Sequence, residues 1–123
     1  MAITQGSVAD ALASFLITDT EANSTAEDNA TGNSSGTFYC VYANNTSNKV
    51  ATFVKIADNS NATSNSTVPD YVFYYPAGKV ISYTVAGGTA YAAGLSFWAT
   101  STAASAATQV DPAVKTTVRI LAT

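Results

Sequence analysis

The chain has 123 residues, the size of one domain, and 47% of them are apolar, which is enough for a single hydrophobic core. Only 11% are charged, against about 25% in an average soluble protein, and the net charge is −3. Five scattered cations do not make the basic face that nucleic-acid binding needs. No apolar run reaches the roughly 18–20 residues that span a bilayer. The sequence therefore predicts neither a nucleic-acid partner nor a membrane partner.

Residues 1–36 are predicted to form an extended N-terminal arm. Within it, residues 12–18 are apolar and fit two patterns, since Leu12 and Leu16 have helical spacing while Phe15 and Ile17 alternate as in a strand. Residues 19–36 are almost wholly Ala, Asn, Ser, Thr, Glu, Asp and Gly. That composition buries little and indicates an exposed loop or a flexible segment.

Residues 37–123 are predicted to form the folded domain, because short β-rich runs alternate there with turn residues. Strands are expected at 38–43, 49–57, 70–75, 79–85, 95–100 and 114–122, with a shorter piece at 90–93. The first two flank a polar turn and are expected to form a hairpin with a five-residue loop. No long helical pattern is found, so the sequence indicates an all-β, largely antiparallel sandwich or barrel.

Large aromatic side chains fall on both faces of two predicted strands. The run Tyr71–Tyr75 has them on either side, and Trp98 opposes Phe97 in the strand at 95–100. A two-layer sandwich buries only the inner face of each sheet, so outward aromatics need a cover. The cover is either the arm or a long loop of the same chain, or another subunit, since interfaces are rich in Tyr, Trp and Phe. The candidate interface residues are Tyr71, Phe73, Tyr75 and Trp98.

The residue inventory argues against catalysis. There is no histidine, which excludes the usual Ser-His-Asp and Cys-His arrangements. Cys40 is the only cysteine, so zinc sites built from Cys and His are excluded, and no disulfide can form within the chain. Cys40 is expected to be a small buried hydrophobe, with an intermolecular disulfide as the alternative. Neither glycine-rich phosphate-binding motif is found.

The eight carboxylates are dispersed, and five of them lie in the predicted arm. Asp58 and Asp70 flank one loop and are expected to come close together, where turn capping is a commoner role for Asp than acid catalysis. Asp58, Asn59 and Asn61 loosely match the start of an EF-hand calcium loop, but the match fails further along. The sequence thus predicts no catalytic residue, no cofactor and no metal.

Over residues 54–123 the order of strands and turns follows a familiar pattern. It runs from VKIAD at 54–58 through VPD at 68–70 and PAGK at 76–79 to GGTAYAAGLSF at 87–97 and TVRIL at 117–121. In these features the chain resembles small virion proteins of tailed bacteriophages, in particular those of the cyanophage type. The resemblance implies a compact β-sandwich, jelly-roll-like in its arrangement, carried on a phage particle.

Proteins of that kind serve as capsid decoration (cement) proteins or as fibre and knob components. The expected function is therefore that of a non-enzymatic structural protein on the virion capsid surface, which binds major capsid subunits and forms a homo-oligomer, with a trimer favoured. The alternative is a tail fibre or knob, or a receptor-binding module that uses Tyr and Trp as a platform for carbohydrate.

Overall fold

A computed structural model describes residues 15–103 and 109–123, and these residues form strands and no helix. The strands are β1 Phe15–Ala22, β2 Gly36–Asn44, β3 Thr52–Asp58, β4 Tyr71–Tyr75, β5 Val80–Tyr91, β6 Leu95–Thr100 and β7 Thr116–Ala122. One sheet has the order β1-β7-β2-β5 and the other β4-β3-β6, with antiparallel pairing throughout. The predicted all-β antiparallel sandwich is confirmed. The described residues include no helix able to span a membrane.

The core lies between the two sheets and follows from alternation along the strands. In β7, Val118 and Ile120 are fully buried while the intervening Arg119 is exposed. Val54 and Ile56 of β3 face them from the other sheet and are buried to the same extent. Each large apolar side chain buried in this way contributes roughly 1.5–3 kcal/mol.

The polar segment 23–30 follows the free edge of β6. Glu27 and Phe97 exchange two backbone hydrogen bonds, of 2.8 and 3.1 Å, and the Ala30 amide donates to the Leu95 carbonyl at 2.7 Å. The segment is irregular and partly exposed, as predicted for a loop, but its main chain also pairs with β6. With this segment counted as an irregular second strand, the strand order is that of a jelly roll.

The part of the predicted arm that is described belongs to the sandwich. β1 pairs with β7 from Phe15 opposite Ala122 to Ala22 opposite Thr116, and Ile17 packs against the core. The choice between strand and helical turn is thus settled as strand for residues 15–18. Residues 1–14 of the arm and residues 104–108 of the loop before β7 lie outside the described part.

The predicted hairpin between β2 and β3 is wrong. β2 pairs with β5 and β7 in one sheet, while β3 pairs with β4 and β6 in the other. The polar residues between them form a corner at which the chain crosses from sheet to sheet. Two asparagines of this corner, Asn45 and Asn48, are 0% and 4% exposed.

Asn45 ties the corner together through both ends of its side-chain amide. Its Nδ2 donates to three main-chain carbonyls at 3.1 Å. Its Oδ1 accepts from the side-chain Nδ2 of Asn48 at 2.8 Å and from the Thr52 hydroxyl at 2.7 Å. The three carbonyls belong to Val50, Tyr75 and Pro76. The bond to the Tyr75 carbonyl is buried and those to Val50 and Pro76 are part-buried, so the side chain of Asn45 replaces water that the corner backbone would otherwise need.

β5 runs further than expected and does not end at the glycine pair. Gly87 and Gly88 have φ values of +78° and +76° and form a bulge opposite Tyr39 of β2. A Cβ on Gly88 would lie 2.3 Å from the Thr37 side chain and 2.7 Å from the Tyr39 ring. Glycine is therefore required here by both backbone conformation and space.

Candidate functional site

The candidate interface residues of β4 turn mostly inward. Tyr71, Phe73 and Tyr75 share the face of β4 that looks into the sandwich. Tyr75 is 0% exposed and its hydroxyl donates to the Val41 carbonyl at 2.6 Å. Phe73 is half-buried against the core, and Tyr71 keeps 38% exposure while its ring meets that of Phe38 edge-on. Tyr75 is thus a core residue, and a surface role stays a prediction mainly for Tyr71.

Trp98 points outward from the three-stranded sheet but is only 1% exposed. It packs against Ala57 and Ala62, with Ala26 at the rim. Its cover therefore comes from the chain itself, from the loop after β3 and from the segment 23–30. Of the two covers predicted from the sequence, the same chain or another subunit, the structure has the first for Trp98. Trp98 is therefore not available for contacts at the molecular surface.

Lys55 lies beside Trp98 in this outer layer and is also fully buried. Its Nζ donates to Oε1 of Gln109, from the loop before β7. Burial lowers the pKa of the Lys55 ammonium below its ordinary value. In the sequence Lys55 is one of five scattered cations. The only hint of its position was the run of apolar neighbours, Phe53 to Ala57.

An exposed apolar strip does exist on the outer face of β4. Val72 is 46% and Tyr74 50% exposed, and the half-buried ring of Phe53 lies 5.6 Å from that of Tyr74. We call Phe53, Val72 and Tyr74 the β4 patch. Tyr71, Phe73 and Tyr75, the candidate interface residues of this strand, lie on its opposite face.

Cys40 is partly buried rather than fully buried as expected. It lies in β2 between Leu121 of β7 and Thr84 of β5, with which it is in register. Its neighbour Val41 takes the core position. An intermolecular disulfide through Cys40 stays a prediction.

Asp58 holds the turn that precedes β6. Its carboxylate accepts backbone N–H bonds from Ala92, Ala93 and Gly94, at 2.7 to 3.3 Å. Partial burial acts to raise the pKa of Asp58, but the three N–H donors outweigh it and hold the pKa below its ordinary value. The Asp58 amide in turn donates to Asp70 at 2.7 Å. The two acids are close, as expected, and both are engaged in capping backbone.

We expect Asp58→Asn to reduce the stability by about 1–2 kcal/mol at neutral pH, because charge-assisted bonds to three amides are weakened. The folded-state pKa lies below the unfolded value of about 3.9, so this stabilisation is present above that value and is lost as the pH falls through the folded-state pKa. Denaturant unfolding at neutral and at acidic pH checks this. The gap between wild type and variant should narrow in acid, and a gap independent of pH would contradict the role of the charge.

An open groove of about 430 Å³ lies between β1 and the segment 23–30. Four carboxylates border it, those of Asp19, Glu21, Glu27 and Asp28. Across residues 15–103 and 109–123, no three His, Cys, Asp or Glu side chains are placed to hold a metal ion. Asn59, from the loose calcium match, uses its Oδ1 to accept the Asn61 amide at 2.7 Å. The groove is an acidic flank of the sandwich.

Comparison of the chain with models of known protein families, with curated proteins and with solved structures gave no match.

Proposed function

We propose that this chain is a structural virion protein without catalytic activity, a decoration (cement) protein that binds major capsid subunits on the outside of a phage head. The observation that carries the proposal is the β4 patch, an uncharged apolar strip on a rigid sheet with Val72 and Tyr74 about half exposed. Isolated exposed apolar residues are ordinary on a protein surface, but neighbouring ones on one strand face favour a contact with another protein.

The surface chemistry supports a role in assembly. Only 11% of the residues are charged, so most of the surface is made of Thr, Ser, Asn and Ala. Such a surface loses little when a neighbour covers it, since few ions have to be desolvated. The jelly roll adds support by analogy, because viral capsid domains and lectins are common among proteins of this architecture.

The hydrogen bonding of three described acids supports a non-enzymatic role. Asp58, Asp70 and Asp111 accept backbone hydrogen bonds, which fixes them as structural ligands of turns and loops. Asp111 receives the Ser24 amide at 2.8 Å and so joins the loop before β7 to the segment 23–30. A glycosidase-type pair needs two carboxyls that face one substrate bond, whereas these acids face the main chain.

Binding to capsids that lack the chain tests the proposal. Purified protein is added back to such particles, and the bound fraction is measured after sedimentation. We expect Tyr74→Asp and Val72→Asp to weaken binding by roughly tenfold or more, because a charge must then be buried at the contact. Both side chains point away from the core, so the fold and its thermal midpoint should be nearly unchanged.

The matched control is Ser35→Asp, an exposed loop residue outside the β4 patch. It adds the same charge and should bind as wild type does. Equal binding by wild type and the three variants would show that the β4 patch is not the capsid contact. Absence of binding by wild type would contradict capsid decoration itself.

In the alternative of a carbohydrate-binding module, Trp98 would serve as a platform for sugar. Trp98 does not fit that role, since it is covered by the chain itself. Of the aromatic residues considered, Tyr71 and Tyr74 keep substantial exposure. Binding of the isolated protein to host-surface glycans, abolished by Tyr74→Ala, would favour the receptor-binding alternative over decoration.

A further inference from the structure

The outer edge of β5 has its backbone hydrogen-bonding groups turned away from the molecule. The Lys79 carbonyl accepts the Asn45 amide at 2.8 Å, and the register then runs as Ile81 opposite Ala43 and Tyr83 opposite Val41. In an antiparallel pair, alternate residues direct their N–H and C=O groups towards the partner strand. The groups of Val80, Ser82 and Thr84 therefore point to the other side, where the described residues provide no strand.

The other sheet edges in the described part of the chain are protected. β6 is covered by the backbone of segment 23–30, and β1 has the charged side chains of Asp19 and Glu21. β4 has only five residues, and the Tyr83 hydroxyl donates to its Tyr74 carbonyl. Short length, charge and cover are the devices that keep edges from pairing with other chains.

β5 has none of these devices over residues 80–85. The stretch VISYTV is rich in β-branched and aromatic residues, contains no proline, and begins a run without any charged residue that extends to residue 110. Its exposed face includes Val80, which is 47% exposed. The glycine bulge at Gly87 and Gly88 ends the regular edge, which leaves a straight segment of about 20 Å.

The flank beside this edge also has an incomplete core. Ile81 and Tyr83 pack against the core but are only half-buried, because the sheet stops at β5. Phe73 of β4, whose ring lies 5.5 Å from that of Tyr83, is half-buried for the same reason. A further strand beside β5 would cover these side chains and pair the outward backbone groups in one step.

We propose that this strand is β5 of a second copy of the chain, paired antiparallel so that the two four-stranded sheets become continuous. With the twofold axis at Ser82, Val80 of one copy lies opposite Thr84 of the other, and Lys79 lies opposite Val85. No like charges meet, so the edge is complementary to itself, as a twofold contact requires. A standard protein–protein interface buries about 800 Å² of accessible surface on each partner. That is roughly an eighth of the 6614 Å² accessible surface of this chain.

The dimer adds a mode of self-association to the proposed function, and it rests on the chain being a subunit of an assembly. A twofold contact gives an oligomer built from dimers, in place of the trimer expected from the resemblance. The β4 patch is a separate surface on the outer face of the other sheet, so the dimer and the capsid contact are tested by different variants and different readouts.

Sedimentation velocity of the full chain over a range of micromolar concentrations tests the inference, under reducing conditions so that no disulfide through Cys40 contributes. We expect wild type to be dimeric. Ser82→Pro removes an outward N–H and should weaken the dimer by roughly tenfold or more, since proline is tolerated at an edge but cannot pair there. Thr84→Lys should do the same by placing a charge on the edge.

Thr20→Lys on β1 is the matched control, an exposed residue at the acidic edge of the same sheet, and should leave the dimer intact. Circular dichroism of each variant verifies the fold. If Ser82→Pro does not fold, Thr84→Lys alone tests whether the β5 edge forms the dimer. A monomeric wild type, or a dimer that both β5 variants leave unchanged, overturns the inference. Capsid binding by such a monomer would still support the proposed function.

Discussion

Replacement of Asn45 by alanine is expected to lower the free energy of unfolding by about 3–5 kcal/mol, although the change removes only a small polar group. The main-chain carbonyls of Val50, Tyr75 and Pro76 each lose the hydrogen bond from Nδ2. The Pro76 carbonyl keeps the Lys79 amide as a donor at 3.3 Å. Two further donors, the Asn48 amide and the Thr52 hydroxyl, lose a buried acceptor. Each unsatisfied buried group costs roughly 1–3 kcal/mol, and relaxation of the corner recovers part of the sum.

Chemical denaturation of wild type, Asn45→Ala and Asn33→Ala measures this. Asn33 is exposed, so its replacement controls for the loss of an asparagine in a chain rich in that residue. Asn45→Asp is a second variant, which retains the Oδ1 acceptor but loses the Nδ2 donor and adds a buried charge, and it should be at least as unstable. A loss below about 1 kcal/mol for both Asn45 variants would show that the corner is not held by this side chain.

Trp98→Ala is expected to destabilise the isolated chain by about 3–5 kcal/mol, the usual range for removal of a large aromatic from a core. Trp98 is 1% exposed and covered by Ala57 and Ala62 from the same chain, so the cavity forms inside the protomer. Tyr74→Ala is the matched comparison. Tyr74 is 50% exposed, and its loss should cost less than about 1 kcal/mol.

Trp98→Ala should lower the stability of the chain, whereas Tyr74→Ala should change a surface contact and leave the stability nearly unchanged. Unfolding of each is followed at a fixed protein concentration, since any oligomer adds its own stabilisation. If Trp98→Ala is as stable as wild type while Tyr74→Ala unfolds the chain, the buried and exposed assignments of these two side chains are reversed, and the β4 patch is not a free surface.

Strand positions and the general architecture were predictable from local patterns. The strand at Leu95–Thr100 has the predicted bounds, and in β7 the alternating residues Val118 and Ile120 are buried. Alternation of period two fixes which residues share a face of a strand, and this is enough to indicate a sandwich.

The same patterns do not say which face is inner when both faces are apolar. In β4 both Tyr75 and Tyr74 are large and aromatic, yet Tyr75 is 0% and Tyr74 50% exposed. The difference arises from the pairing of β4 with β3, which places Tyr75 opposite the buried Thr52. That register is a long-range property, so the sequence alone does not show which of these two tyrosines faces the core.

Polar composition was also ambiguous. The turn residues after β2 suit a tight hairpin, but in the structure Asn45 and Asn48 are buried and bind backbone at a corner between sheets. The polar segment 23–30 suits a loop, but it pairs with β6 through its main chain. Asparagine serves an exposed turn and a buried backbone network equally well, so the partners that decide between them are not visible in sequence.

An image of the intact particle would show whether this chain binds capsid subunits, as we propose. We expect copies at regular positions over the head, with the face that bears Val72 and Tyr74 against the shell. Absence of the chain from the head, or a few copies confined to the tail, would contradict the proposal.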